Sequence, residues 1–136
     1  MSAFTDSELE YLAGQPLGRI ATAQPGGVLQ VSPVGFRHNA EFDTIDVTGY
    51  GMATSRKYRN VADNGLVAFV VDDLASVKPW GPRCVEVRGY GEVVAESPDG
   101  PLIRIHPTRI ISFGIDEPFA GPQDLKLNAR DVDQGA

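Results

Sequence analysis

The stretch Cys84-Val85-Glu86-Val87-Arg88-Gly89-Tyr90-Gly91-Glu92-Val93-Val94-Ala95 carries the clearest indication of the fold. Its residues alternate between a mainly apolar and a mainly polar side, which is the two-residue period of a β-strand. Gly89 and Gly91 fall on the same side as Val85 and Val87. Two glycines on one strand face suit a bend in a barrel, or the close approach of another backbone or a ligand. The stretch therefore predicts one long, bent strand.

Shorter apolar or alternating segments on both sides predict the remaining strands. Pro25-Gly26-Gly27 marks a hairpin turn between the first two of them. Pro33 cannot donate to a ladder, so it predicts an edge, a bulge or an opening of the sheet. Leu66 to Val71 is apolar on both faces and predicts a fully buried strand, and Pro107 is expected to divide the last two strands. The predicted strands are Gly18 to Ala23, Val28 to Val34, Phe42 to Thr48, Leu66 to Val71, Cys84 to Ala95, Leu102 to Ile105 and Thr108 to Ile115.

Two helices are predicted, one before the first strand and one that interrupts the strands. Thr5 and Glu8 have the spacing of a capping box, and Gly14 is expected to end that helix. A second helix is predicted from about Ser55 to Asp63. Six or seven short strands with mostly hairpin connections form a closed antiparallel β-barrel with two or three short helices, in a single domain spanning residues 1–136. The apolar stripe expected on the first helix is Leu9, Leu12 and Ala13, with Phe4 and Leu9 at the staple positions.

Composition excludes several classes of protein. The 12 basic and 18 acidic residues leave a net charge of −6, which argues against a nucleic-acid binder. Cys84 is the only cysteine, so no intrachain disulfide can form and a cytoplasmic location is expected. One cysteine with His38 and His106 cannot build a closed zinc site. Met1 to Asp6 lacks the pattern of a signal peptide, and no apolar run has membrane-spanning length. Asp116 to Ala136 reads as a surface-wrapping or mobile tail.

The stretch Thr48 to Val61 carries the chemistry. A strand ends, a glycine-containing loop follows, and a helix begins near Thr54 or Ser55. Three of the 12 basic residues, Arg56, Lys57 and Arg59, fall in the first turn of that helix, where its dipole disfavours cations. Free amides, hydroxyls and cations that converge at a helix start favour a bound anion, and phosphate is the usual one. The alternative is a set of solvated charges on an exposed helix face.

Other residues have less specific interpretations. His38 is expected to be an exposed turn residue, with a proton donor near a substrate as the alternative. Tyr50 and Tyr58 are expected to be packing residues whose hydroxyls reach water, with an acid role for Tyr50 as the weaker reading. Trp80 is either an exposed loop residue or an interface anchor.

The chain resembles the split β-barrel flavin and deazaflavin proteins of the pyridoxamine 5′-phosphate oxidase-like superfamily. The resemblance is carried, in chain order, by Gly18-Arg19-Ile20-Ala21-Thr22-Ala23, Val31-Ser32-Pro33-Val34-Gly35-Phe36, Ser55-Arg56-Lys57-Tyr58-Arg59-Asn60-Val61, Glu86 to Glu92 and His106 to Asp116. Asn128-Ala129-Arg130-Asp131-Val132 resembles the ending of an actinobacterial branch, the PPOX-class F420-dependent oxidoreductases of FDOR-B type. One departure is Phe113, where relatives often carry Trp.

The resemblance implies a split barrel that forms a homodimer with two cofactor sites at the subunit interface. It implies that the cofactor phosphate lies on Ser55, Arg56, Lys57 and Asn60. The ring would lie along Val31 to Phe36, and so against Ser32, Pro33, Val34 and Gly35, with Thr48 at the ribityl chain or ring edge. Trp80 and Arg83 would contribute from the second subunit.

The function that this resemblance implies is hydride transfer from the deazaflavin F420 to an unsaturated or carbonyl-conjugated small molecule. The cofactor then carries the chemistry, so the absence of a catalytic triad is expected. The alternative is an FMN-dependent oxidase or reductase on the same barrel. A third reading is a flavin or F420 carrier without turnover.

Overall fold

A computed structural model of the chain describes residues 1–116 and 125–133. Its helices are α1 (Asp6–Ala13), a single 3-10 turn (Met52–Thr54) and α2 (Arg56–Asn64). Its strands are β1 (Gly18–Ala23), β2 (Leu29–Asn39), β3 (Thr44–Thr48), β4 (Leu66–Ser76), β5 (Gly81–Val94), β6 (Leu102–Phe113) and β7 (Asn128–Asp131).

The seven strands of the described residues form one antiparallel sheet in the order β3-β2-β1-β4-β5-β6-β7. A further pairing between β3 and β6 closes the first six into a barrel, and β7 adds to the outer edge of β6. The mainly β split-barrel fold predicted from the sequence is confirmed. None of the helices in the described ranges is long and apolar enough to cross a membrane.

The long strand β5 bends where the two glycines predict it. A Cβ on Gly89 would lie 2.0 Å from the backbone oxygen of His106 on β6, and a Cβ on Gly91 would lie 2.9 Å from the Val61 side chain on α2. Gly89 is therefore required because β6 approaches it closely, and Gly91 because α2 does. The β5–β6 register shifts at the same point, between Arg88 and Gly89.

That register shift also corrects the prediction of two strands separated at Pro107. Leu102–Phe113 is one continuous strand, and Pro107 lies opposite Gly89 in its ladder. Thr108 is the extra residue of a bulge, and its hydroxyl donates to the Arg88 carbonyl at 3.2 Å. A bulge accommodates the proline without ending the strand.

Besides β6, four strands differ from their predicted bounds. β4 continues to Ser76, and β5 runs from Gly81 to Val94. β2 continues past Val34 to Asn39, because its second half pairs with β3. β3 begins at Thr44 and not at Phe42, because a turn precedes it in which Asp43 takes a positive φ of 55°. β4 is not buried on both faces: Val67, Phe69 and Val71 are buried, but Leu66 is 60% exposed.

Helix α1 has the predicted capping box, with the Thr5 hydroxyl accepting from the Glu8 amide, and Gly14 follows its last turn. Its inner face differs from the prediction: Glu8, Tyr11 and Leu12 are buried, whereas Ala13 is exposed. The carboxylate of Glu8 can be buried because it accepts hydrogen bonds from Arg130 and Ser112.

Arg130 lies on β7 and donates to the Ala3 carbonyl, so this part of the C-terminal segment packs onto the barrel. Of the two predictions for the segment, a surface-wrapping or a mobile tail, the described part fits the first. The prediction for that segment also covers residues 117–124 and 134–136, which lie outside the described residues.

The barrel closes along the β3–β6 seam around Asp46, which is fully buried. Asn39 and Thr44 donate to its carboxylate at 2.8 and 2.9 Å, and Arg104 donates to both of its oxygens at 3.1 Å. Burial raises the pKa of Asp46, but these hydrogen bonds outweigh it and hold the pKa below its ordinary value. The carboxylate therefore stays charged and joins three strands.

Replacing Gly89 by Ala is expected to destabilise the apo protein by about 1–3 kcal/mol, since the new methyl group would meet backbone that cannot swing aside. Thermal unfolding measures this. Gly35→Ala is the matched control, because a Cβ at Gly35 meets nothing within 4 Å. Equal unfolding temperatures for the two variants would contradict the close approach.

Candidate functional site

The barrel is open along one half of β2. Leu29–Val34 pairs with β1, and only Gly35–Asn39 pairs with β3. Within the part of the chain that the structure describes, the second edge of β2 between Leu29 and Val34 has no strand partner. Pro33 lies in this stretch, which confirms the prediction of an edge or an opening at that position. Because the edge is unpaired, backbone groups of this stretch point into the opening, which we call the split.

The split is bounded at both ends by contacts. At one end Gly35 is paired with Thr48, the last residue of β3. At the other end the Gln30 side chain accepts from Asn60 of α2 at 3.4 Å. Between these contacts the chain runs from Thr48 through the 3-10 turn to Ser55 and α2. The fold therefore brings Ser32, Pro33, Val34, Gly35, Thr48 and the start of α2 around one opening.

Ser32 has an unusual environment. Its Oγ is buried yet has no hydrogen-bond partner, and it is the only side-chain N or O atom of this kind among residues 1–116 and 125–133. Leaving a buried hydroxyl unsatisfied costs about 1–3 kcal/mol, so such groups are rare in native proteins. The hydroxyl lies in the half of β2 that borders the split. The Ser32 hydroxyl is therefore a candidate to hydrogen-bond a ligand bound in the split.

The start of α2 lies next to this opening. Ser55 is the N-cap: its Oγ accepts from the Tyr58 amide at 3.3 Å and donates to the Met52 carbonyl at 2.7 Å. The amides of Arg56 and Lys57, the first two helical residues, have no partner inside the helix. Arg56 is exposed and Lys57 is half-buried. The predicted helix start is confirmed, and it presents free amides and cations together.

The cations of α2 have no carboxylate partner among the described residues, in contrast to the arginines elsewhere in the chain. Seven of the nine arginines lie within ion-pair distance of a carboxylate of the described residues, and the two that do not are Arg56 and Arg59. Lys57, between them, has no carboxylate partner there either. In a chain with 18 acidic residues this is a local concentration of uncompensated positive charge. It favours an anionic ligand at the start of α2.

Asn60 was expected at the phosphate. The structure places its side chain on the inner face of α2, only 1% exposed. Its Nδ2 donates to Thr22 Oγ1 at 3.0 Å and to Gln30 Oε1 at 3.4 Å. The amide nitrogen is therefore directed at β1 and β2. Sequence reasoning missed Thr22 and Gln30, because only the fold brings these strand residues beneath the helix.

The outward face of β1, β2 and β4 forms a second feature. Val31, which is 68% exposed, and the half-buried Ala21, Ala68 and Val70 line a shallow apolar cleft of about 290 Å³. Arg19 and Glu86 lie at its rim. This face explains why β4 has an apolar pattern on both sides although one chain buries only one of them. One chain therefore leaves this apolar face uncovered.

Trp80 and Arg83 lie far from α2 in the same chain. Both belong to the β4–β5 hairpin end, and β4 runs from Leu66, which follows α2, to Ser76. Ten strand residues correspond to about 30 Å. Trp80 is 52% exposed, and Arg83 donates to Asp73 at 2.8 Å.

The two weak catalytic candidates lie in different places. His38 is not in a turn: it lies on β2, contacts Asp43 at 2.7 Å and packs edge-on against Phe4. Tyr50 lies two residues after Thr48, and its side chain is fully exposed and not packed.

Burial raises the pKa of Cys84 to about 11, so its thiol stays protonated at neutral pH. No group of side chains placed to hold a metal occurs in the described ranges.

Comparison with known proteins identifies the family to which this fold belongs. The pyridoxamine 5′-phosphate oxidase family matches residues 4–109, most of the chain. The chain therefore belongs to this family of split-barrel proteins.

Within that family, the chain is 39% identical to a 5a,11a-dehydrotetracycline/5a,11a-dehydrooxytetracycline reductase of Streptomyces rimosus subsp. rimosus, over 95% of this chain and 93% of the relative. It is similar to a solved F420 reductase, with 26% identity, a TM-score of 0.57, and coverage of 74% of this chain and 94% of that one. A solved FAD-binding protein of Mycobacterium smegmatis has the same fold, with 22% identity, a TM-score of 0.58, and coverage of 81% and 94%.

Two serines whose hydroxyls are buried test whether the Ser32 hydroxyl lacks a partner. Ser32→Ala is expected to leave the free energy of unfolding of the apo protein unchanged or to raise it, because the hydroxyl has no partner to lose. Ser112→Ala, the matched control, is expected to lower it by about 1–3 kcal/mol, because Ser112 donates to buried Glu8. Denaturant unfolding measures both. A similar loss in the two variants would mean that Ser32 has a partner in solution.

Proposed function

We propose that the protein is a reductase that binds the deazaflavin F420 in the split and transfers hydride to an unsaturated or carbonyl-conjugated small molecule. One observation carries the proposal: three cations that have no carboxylate partner among residues 1–116 and 125–133 lie at the start of α2, beside an open strand edge. Membership of the family and the 39% identical reductase support an oxidoreductase. The F420 reductase among its structural neighbours supports the choice of cofactor.

The residues present fit such a cofactor. Ser55, Arg56 and Lys57 would hold its phosphate through a hydroxyl, the first helical amides and two positive charges. The unsatisfied Ser32 hydroxyl and the open edge of Pro33 and Val34 would face the ring. The remaining contacts would be Gly35, where a Cβ would meet nothing within 4 Å, and Thr48 beside it.

When bound, F420 supplies the hydride, and the protein supplies binding, orientation and exclusion of water. Arg59 favours F420 over FMN. A phosphate monoester needs only the cradle formed by Ser55, Arg56 and Lys57, whereas F420 carries a longer anionic tail. Arg59 is exposed on the same helix without a carboxylate partner in the described residues, so it extends the positive charge beyond the phosphate position. FMN remains the alternative cofactor, and a carrier without turnover remains the alternative function.

The name of the 39% identical relative suggests the substrate class. That protein reduces a dehydrotetracycline, whose name denotes an unsaturated polycyclic molecule. By analogy we propose a small molecule with a conjugated double bond. Tyr50, fully exposed beside Thr48, stays a candidate for contact with such a substrate.

A homodimer is part of the proposal. The apolar outer face around Val31 and Ala68 would be covered by a second copy of the chain. A stable interface of this kind buries roughly 800 Å² per partner, so it would extend beyond the cleft itself. Trp80 and Arg83 would then reach a cofactor from the second subunit, since in their own chain they lie toward the hairpin end of β4 and β5, whereas α2 precedes the opposite end of β4. In the isolated chain Arg83 is paired with Asp73, so such a role would use its remaining donors.

Titration of the purified protein with F420 and FMN separately, followed by fluorescence, tests the cofactor. Lys57→Ala is expected to weaken binding of the preferred cofactor about ten- to hundredfold, because a charge-assisted bond to phosphate is lost. Thermal unfolding of the apo variant should match the wild type. Lys126→Ala, an exposed lysine elsewhere, is the matched control. Unchanged affinity in Lys57→Ala would remove the phosphate site, and binding without reduction of any acceptor would favour the carrier.

Light scattering at micromolar concentration tests the dimer. The wild type is expected to have twice the chain mass of 14.6 kDa. Ala68→Glu places a charge on the apolar face and is expected to give the monomer mass and weaker cofactor binding. Ala13→Glu, on the exposed side of α1, is expected to stay dimeric. A monomer mass for the wild type with cofactor bound would contradict the proposal.

A further inference from the structure

Helix α2 is fastened to the barrel by two side-chain amides one helical turn apart. Asn60 donates to Thr22 Oγ1 at 3.0 Å, and Asn64 donates to the Ala23 carbonyl at 2.7 Å. Both partners lie on β1. Asn60 alone also reaches β2, through Gln30 Oε1 at 3.4 Å. Asn60 therefore links the helix that carries the cations to the strand that borders the split.

We propose that Asn60 is a positioning residue that sets the distance between the anion site of α2 and the open edge of β2, and not a ligand of the anion. Its side chain is 1% exposed, and its amide nitrogen is already engaged twice on the barrel side. Arg56 and Arg59 lie on the exposed side of the same helix. A residue turned inward holds the helix in place, while those turned outward are free to meet a ligand.

The hydroxyl of Thr22 is the key partner in this link. Thr22 is 3% exposed, so water cannot replace the bond if the hydroxyl is removed. Thr22→Val keeps the shape and leaves the buried Asn60 amide without its shorter bond, whereas Thr22→Ser keeps the bond. The barrel side of the link can thus be altered without touching Asn60 or any group near the anion.

This inference rests on the proposed function in one respect: the ligand must span both the helix start and the strand edge. A cofactor with a ring and a phosphate binds at two connected places, so its affinity depends on their spacing. Its phosphate-free counterpart uses the strand edge alone. The matched ligand pairs are F420 with the phosphate-free deazaflavin that keeps only the ribityl chain, and FMN with riboflavin.

Thr22→Val is expected to raise the dissociation constant of the phosphate-bearing cofactor about tenfold and that of the phosphate-free ligand less than about twofold. Thr22→Ser should restore the wild-type values. Asn64→Ala, the matched control, removes a bond at the C-terminal end of α2, away from the anion site, and should leave the ratio of the two constants unchanged. The double variant Thr22→Val/Asn60→Ala should bind about as weakly as Asn60→Ala alone, because the Thr22 hydroxyl acts only through its bond to Asn60. If Asn60→Ala weakens binding while Thr22→Val binds like the wild type, Asn60 is a direct ligand and the proposal is overturned.

Hydrogen exchange of the apo protein separates this inference from the proposed function. Thr22→Val, but not Thr22→Ser, is expected to speed exchange in α2 relative to β5, since the link has lost its shorter bond. If the wild type binds neither F420 nor FMN, the proposed function fails, and the exchange result alone decides the link. Equal exchange in α2 for the wild type and Thr22→Val overturns the positioning role.

Discussion

The buried carboxylate of Asp46 is the constraint on which the rest of the structure depends. It accepts hydrogen bonds from Asn39 on β2, from Thr44 on β3 and from Arg104 on β6, and so fastens the strands that close the barrel. A buried charge with its partners in place is stable, whereas one that loses a partner is strongly destabilising. Since the β2–β3 pairing that this seam holds ends at Gly35, the other half of β2 pairs only with β1, and its second edge has no strand partner among the described residues. Barrel closure and the split are two consequences of one seam.

The positive charges of the chain divide into those that stabilise the fold and those that remain available to a ligand. Most arginines of this acidic chain are used by the fold: Arg104 holds the seam, and Arg130 neutralises Glu8 beneath α1. Burial raises the pKa of Glu8, but hydrogen bonds from Arg130, Ser112 and the Thr5 amide, together with the charge of Arg130, outweigh it and hold the pKa below its ordinary value. The cations of α2 take part in no such pairing among the described residues. Their positive charge is therefore available to a ligand, although the chain as a whole is acidic.

Sequence reasoning succeeded where the signal is local. Thr5 and Glu8 predict the first helix because a capping box involves only four neighbouring residues. Ser55 predicts the start of α2 for the same reason. It failed where distant segments meet. Pro107 does not end a strand because Gly89, eighteen positions earlier, makes room for a bulge, and Glu8 is buried because Arg130 comes from the far end of the chain.

The sequence by itself determined the class of fold, the position of the helix with its cluster of cations, and the point at which β2 opens. These depend on the alternation of side chains, on capping and on the missing amide of Pro33, all of which act over a few residues. Only the tertiary structure decided that the Ser32 hydroxyl is left without a partner, that Asn60 points into the barrel, and that the outer face of β4 stays uncovered in one chain. Each of these depends on which distant side chains the closed barrel brings together, and no local pattern records that.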